Sequence, residues 1–538
     1  MGADGRARAL ARQAVALAAG VGIELPAELQ LWRLAGGRPR TRVGEPRPDP
    51  ARALVAALEG ELTAEERRRG AHYTPADLAD EVVRLALPDP TGPTSVVDPA
   101  CGGGAVLLAA ADRLVALGAS RAAVARDLLW GADIDPLAAA VTEAAVALWS
   151  GGVVPAAGHV VAADVLAGGR ASWSDPPAAG FGAIVGNPPF QGQLATATAR
   201  GASGRLALHA QFGSVASPYV DTAALFLLVG AGLAAPGARV VLVQPQSTAA
   251  ARDAGPVRAA LADRSHLVEL RVPAGRPFAG RVHVCLPVLE VGTGESVPDW
   301  AGHLAEGRGV PAVDLGAGPT VGTLADAVAG FRQHYYGLVD HVHEGGDGAP
   351  LVTSGSLGVG TSTWGTSPIR FAKRTWTRPV VEVAAVRAAD PRLAAWLDRV
   401  LRPKVVVATQ TRVVEAAADR TGTWVPCTPV VSVVPHEAAD VDLIVAALCA
   451  PPVAAWAARR ASGTGLSPDA LRVSAELVLA APLPPDRRRW ASAAGHLAVG
   501  DLDAYAEAAT AMHHLDPATA RRVLAWWRRS LGAARGPR

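Results

Sequence analysis

The segment Val97-Asp98-Pro99-Ala100-Cys101-Gly102-Gly103-Gly104-Ala105 reads as a strand that turns through glycines into a helix. Glycine permits positive φ and lets a ligand approach the backbone closely. A tight strand-to-helix turn that binds nothing has the same appearance. The spacing excludes the dinucleotide pattern G-x-G-x-x-G, because three consecutive glycines follow D-P-A-C.

Working outward, short apolar runs alternate with helical patterns from Ser95 to about Val291, which predicts parallel βα units. The strand candidates are Ser95–Val97, Leu128–Ala132, His159–Ala162, Ala183–Val185, Arg239–Val243, Leu267–Val272 and Val282–Glu290. The first four run into Asp98, Asp133, Asp164 and Asn187. Seven such strands predict an α/β fold, a doubly wound Rossmann-like sheet that binds ligands at the carboxyl ends of its strands.

Around this block the expected organisation is an N-terminal helical segment over 1–69, the sheet domain over 70–291 and a Gly/Pro-rich connector over 292–330. A mixed α/β domain over 331–485 and a helical tail over 486–538 complete it. The 538 residues imply more than one domain. No run of about 18 apolar residues is free of breakers, and the N-terminus shows no signal-peptide pattern, so the expectation is a cytoplasmic protein without membrane contact. The cysteines Cys101, Cys285, Cys427 and Cys449 form no C-x-x-C pair and have no His at zinc spacing, which speaks against a metal site or disulfide framework. The net charge of +2 is uninformative, but only Lys373 and Lys404 of the 51 basic residues are lysine. A GC-rich genome explains that bias; arginine also suits bidentate phosphate and guanine contacts.

The second chemical motif, Gly186-Asn187-Pro188-Pro189-Phe190, directly follows a strand. Two prolines stiffen the backbone and remove two N–H donors. An amide oxygen, free carbonyls and an aromatic face remain. Asn187 Oδ1 and the Pro188 carbonyl would each accept one N–H of an exocyclic amine, drawing its lone pair out of ring conjugation, while Phe190 stacks on the base. Such chemistry requires the base to leave the stack, at a cost of roughly a few kcal/mol.

Taken in order, these motifs resemble the amino-methyltransferases that act on DNA, in particular the gamma-class N6-adenine enzymes of the N-6 DNA methylase family found in restriction-modification systems. The resemblance is specific over about Gly70 to Glu290. It implies S-adenosylmethionine as cofactor, held by Tyr73, Thr74 and Pro75 at its methionine part, by the turn residues Asp98, Ala100, Cys101, Gly102 and Gly104, by Asp133 and Ile134 at the ribose, and by Asp164 and Val165 at the adenine. Asp135 reads better as a helix N-cap. The resemblance also places Phe278, in Arg276-Pro277-Phe278-Ala279-Gly280-Arg281-Val282, on the second face of the target base, although Phe278 serves equally as a core residue. Double-stranded DNA would be the substrate and 331–485 the target recognition domain, with a separate restriction endonuclease or defence subunit as a possible partner. There His334-Tyr335-Tyr336-Gly337-Leu338 and Arg370-Phe371-Ala372-Lys373-Arg374 interleave aromatic with charged residues, as a DNA-facing surface or a core with a solvated rim would.

Two alternatives stay open from sequence: a methyltransferase for protein glutamine or RNA, since N-P-P-[FY] also serves amide nitrogens, and a non-catalytic DNA-binding subunit. Pro426-Cys427 resembles a cytosine-C5 nucleophile but lies far from the other motifs. Neither a nuclease constellation nor a phosphate-binding G-x-x-x-x-G-K-[ST] loop is found.

Overall fold

The computed structural model describes residues 3–39, 47–63, 74–89, 92–190, 208–217, 220–275, 277–278, 282–292, 299–330, 332–465 and 470–534. The chain forms two compact units, Met1–Trp300 and Ala301–Arg538.

The first unit is organised by one sheet. Its strands are β1 (Val96–Asp98), β2 (Leu129–Asp133), β3 (Val160–Ala162), β4 (Phe181–Gly186), β5 (Ala234–Leu242), β6 (Gln244–Pro245), β7 (Ser265–Arg271) and β8 (Val284–Val291). The order is β3-β2-β1-β4-β5-β8, with β7 on the outer side of β8. β1 to β5 are parallel, and β8 runs antiparallel to both β5 and β7. Seven strands were expected and eight are assigned, but β6 is not a new element. Val241 faces Val288 and Gln244 faces Cys285, so β6 continues β5 in one register across Val243. The apolar strand sequences follow from burial on both faces: Val96, Val97, Ala183, Ile184, Val185, Val240 and Val241 are all inaccessible.

The chain leaves β1 toward β2 on one side and meets β4 on the other, which places the switch point of the winding at the carboxyl ends of β1 and β4. The helix Ala105–Ala116 follows β1, and Pro136–Ser150 follows β2. Pro136–Ser150 begins as its sequence dictates, with Pro at the first turn and Asp135 accepting from Leu137 N at 2.9 Å. A helix on a sheet ordinarily keeps a wet face. Twelve residues of this one are buried, because the N-terminal helices Ala3–Gly20, Gln30–Ala35 and Pro50–Gly60 share its core. Glu143 accepts from Gln30 N at 2.7 Å, tying that outer layer down. The described part of the helical segment 1–69 lies within the first unit.

The second unit contains a four-stranded sheet of Ala416–Asp419, Lys404–Ala408, Val430–Pro435 and Ala325–Ala329. The outermost strand lies in the stretch expected to be a connector. It pairs antiparallel with Val430–Pro435, Ala327 opposite Val433. The helices Arg487–Ala498 and Leu502–Ala511 of the expected tail bury Trp490 and Tyr505 in the same core as Ile444 and Val405. A hairpin, Ile369–Phe371 with Arg374–Trp376, turns through Ala372 (φ 50°) and Lys373 (φ 63°). For residues with a Cβ, that left-handed backbone costs about 1–2 kcal/mol each. Among the described residues no single helix is long and apolar enough to cross a membrane.

Candidate active site

The turn after β1 is built by close approaches. Cys101 N donates to Ala132 O at 2.9 Å, and Gly104 N to Cys101 O at 2.8 Å. Gly102 (φ 53°) and Gly104 (φ 96°) take left-handed backbone, which is why both are glycine. A Cβ on Gly104 would stand 3.2 Å from Thr142, whose Oγ1 donates to Gly102 O at 2.7 Å. A Cβ on Gly103 would stand 3.1 Å from Leu58, so the helix Pro50–Gly60 backs the turn. A Cβ on Gly102 would meet nothing within 4 Å; the face of the turn that a ligand would use is open.

Two carboxylates border this turn. Asp133, at the end of β2, accepts from Gly102 N and Asp135 N, both at 2.9 Å. Burial pushes its pKa up, against the pull of these backbone donors. Beside it Ile134 is 69% exposed, an apolar side chain displayed where the sheet would hold a flat heterocycle. Asp98 is buried; Oδ1 accepts from Ala100 N at 3.0 Å, whereas Oδ2 is buried with no partner. Burial, with the nearby charge of Asp133 adding to it, pushes Asp98 up to about 8. Asp164 follows β3 and caps the short helix Val165–Gly168 by accepting from Leu166 N at 3.1 Å. Val165 itself is buried in the core, so its backbone rather than its side chain is what a cofactor could meet.

At the end of β4, Gly186 O accepts from Val243 N at 2.9 Å. A Cβ on Gly186 would stand 2.5 Å from Asp98 Oδ1, which puts the start of the N-P-P-F corner against the carboxyl end of β1. Asn187 Nδ2 donates to Thr74 Oγ1 at 3.0 Å. Its Oδ1 is buried and has no partner. Two orphaned acceptors, Asp98 Oδ2 and Asn187 Oδ1, therefore belong to neighbouring strand ends. Buried polar atoms are nearly always paired, and a ligand with donors would pair these two. Pro188 is buried, and Pro189 and Phe190 are half-buried. The rings of Phe190 and Phe278 meet edge to face with centroids 6.2 Å apart.

The structure thus brings together Thr74, Asp98, Gly102, Asp133, Asn187, Phe190 and Phe278. Tyr73 lies outside the described residues, as do Arg276, Ala279, Gly280 and Arg281 around Phe278. Pro75 is the N-cap of the helix Ala76–Ala86, which carries Thr74 to the site. Thr142 went unseen in the sequence; its one signal is a hydroxyl in an otherwise apolar helix face. So did Gln244 and Gln246, buried beyond β5, where Gln244 Nε2 donates to Ala223 O at 2.9 Å and Gln246 Nε2 to Val284 O at 3.0 Å. Cys427 lies buried in the second unit, its thiol pushed up to about 12 by burial, which is the reverse of what a nucleophile needs.

S-adenosylmethionine fits these residues. It is a cation with an ammonium donor, and Asp98 Oδ2, buried without a partner, would accept from it on giving up the proton that burial favours. Its nucleoside has hydroxyl donors and a flat face, and Asp133 and Ile134 offer the complementary groups.

The strand order, the reversed β8 and acids ending β1 and β2 define a methyltransferase sheet. Residues 58–289 match the family model described as N-6 DNA Methylase. That segment is what carries the chain's similarity to N-6 DNA methylases. The structure of the type IIL restriction-modification enzyme MmeI in complex with DNA is similar over 94% of this chain and 81% of that one, at 13% identity and a TM-score of 0.57; this likeness is one of fold. Weaker overlaps are with the type IIG restriction endonuclease BpuSI (99% of this chain, 77% of that one, 11% identity, TM-score 0.41). A modification subunit of a putative type I restriction enzyme from Vibrio vulnificus overlaps 48% of this chain and 52% of its own, at 18% identity and a TM-score of 0.35. No curated protein matches the chain.

Proposed function

We propose that the protein methylates N6 of an adenine extruded from double-stranded DNA, using S-adenosylmethionine. The observation that carries this reading is the Asn187 amide, whose nitrogen is engaged by Thr74 and whose oxygen is left as a buried, unpaired acceptor. When bound, the cofactor supplies an electrophilic methyl group. Asp98 and Asp133 would hold its ammonium and ribose hydroxyls. Asn187 Oδ1 and the Pro188 carbonyl would each accept one N–H of the target amine, which would free the nitrogen lone pair to take the methyl group, the S–C bonding pair staying on the cofactor's sulfur as a neutral thioether. The amine must then shed one proton. Neither an amide nor a carbonyl oxygen retains it at neutral pH, so it passes to solvent. Phe190 and Phe278 would flank the flipped base and offset its lost stacking. The second unit would supply target recognition.

The test is incubation of the full chain with methyl-tritiated cofactor and unmethylated duplex DNA, RNA or ribosomal protein, followed by digestion of the DNA to nucleosides. Label in N6-methyldeoxyadenosine is expected. Label in N4-methylcytosine, in RNA or in protein overturns the assignment.

A further inference from the structure

The strained hairpin of the second unit has a composition that folding alone does not explain. Two-residue turns of this hand are normally Asn-Gly or another pair tolerant of positive φ. Ala372 and Lys373 occupy both positions, and they are two of the three described non-glycine residues with positive φ. The turn is held from outside itself. Ala372 N donates to the Tyr335 hydroxyl at 2.8 Å, and the Tyr335 ring meets Phe371 edge to face at 4.9 Å. Trp376 Nε1 donates to Phe371 O at 3.0 Å. Phe371 and Trp376 are buried, so one face of the hairpin is core.

The exposed surface of the hairpin is cationic: Arg370, opposite Thr375, lies on the other face, whereas Arg374, opposite Phe371, is exposed on the face that Phe371 shares. Arg370, Lys373 and Arg374 are exposed, and none has a carboxylate at ion-pair distance among the described residues. Arg374 lies over the Trp376 ring, 5.0 Å from its centroid. The chain has two lysines. Lys404 is fully buried in an ion pair with Asp419. The other stands at this tip, in a backbone conformation that lysine rarely adopts.

We propose that this hairpin enters the major groove of duplex DNA, with Lys373 at its tip and Arg370 and Arg374 meeting phosphates beside it. A rigid two-stranded ribbon fits a groove about 12 Å wide, and strain that survives in a native fold marks positions held for a purpose other than stability. The inference rests on the reading of the chain as a DNA enzyme and names the element that meets DNA.

Lys373→Asn tests it, because asparagine tolerates the turn and removes the charge. Binding of the full chain to a fluorescent duplex is measured from low to moderate salt, with thermal melting and cofactor affinity alongside. A melting temperature no lower than wild type, unchanged cofactor affinity, duplex affinity lower by about tenfold and a log–log salt slope reduced by about one are expected. Arg370→Gln with Arg374→Gln reduces the slope by about two and serves if the first variant folds poorly. Unchanged affinity and slope in both variants, while wild type binds duplex DNA, overturn the hairpin's role alone. Wild type that binds no duplex at low salt overturns the DNA reading itself. Lys373-dependent binding of RNA without binding of duplex DNA replaces the proposed partner.

Discussion

Asn187 Nδ2 and Thr74 Oγ1 are hydrogen-bonded at 3.0 Å across 113 residues of chain. The bond decides which end of the amide faces the pocket. With the nitrogen engaged, the oxygen is the free acceptor, and a target amine has only donors to offer it. Thr74→Val keeps shape and removes the acceptor. The expected result is kcat lower by about 10- to 100-fold, equivalent to about 1.4–2.7 kcal/mol, with KM for DNA changed little and Thr74→Ser close to wild type. Equal losses in the Val and Ser variants would rule out an orienting role.

Gly186 sits where β4 passes Asp98. A methyl group there would stand 2.5 Å from Asp98 Oδ1, a contact that must be relieved by moving a buried carboxylate. Gly186→Ala is expected to destabilise the protein by about 1–3 kcal/mol and to weaken cofactor binding in calorimetry. A variant with wild-type melting and affinity would show that the two strand ends are not so close.

The pKa of Asp98 makes cofactor-free stability depend on pH. The folded value of about 8 lies above the ordinary 3.8, so between these values the folded state holds a proton that the unfolded chain has released. Stability from this group is complete below about pH 4, falls as pH rises to about 8, and is level beyond. The slope is at most about 1.4 kcal/mol per pH unit. Asp98→Asn should flatten it and raise melting most at pH 8, while lowering cofactor affinity. Parallel pH profiles for wild type and variant would remove Asp98 as the source.

The rings of Phe190 and Phe278 meet edge to face, and both are half-buried against the core of the first unit. Replacing either with alanine is expected to weaken the fluorescence rise of a 2-aminopurine duplex, at a cost of about 1–3 kcal/mol. Loss with Phe190→Ala and none with Phe278→Ala would return Phe278 to a purely core role.

Residues whose type the proposed chemistry restricts were legible in sequence: the acids ending β1 and β2, the glycine turn and Asn187. Strand limits came within a few residues at most ends, though β5 begins at Ala234 rather than Arg239. What stayed hidden depends on partners distant in sequence. Ala325–Ala329 looks like loop beside its glycines and becomes a strand only because Val430–Pro435 lies next to it. Thr142 shows its purpose only once Gly102 O is seen 2.7 Å away. Trp490 and Tyr505 announce amphipathic helices, but not that these complete the core of the second unit.

Leu58 and Val55 press on the back of Gly103 from a helix that precedes every recognisable motif. Anyone trimming this protein for expression at the first recognisable signature would discard the brace of the glycine turn, and would then mistake a mechanical failure for a missing catalytic group.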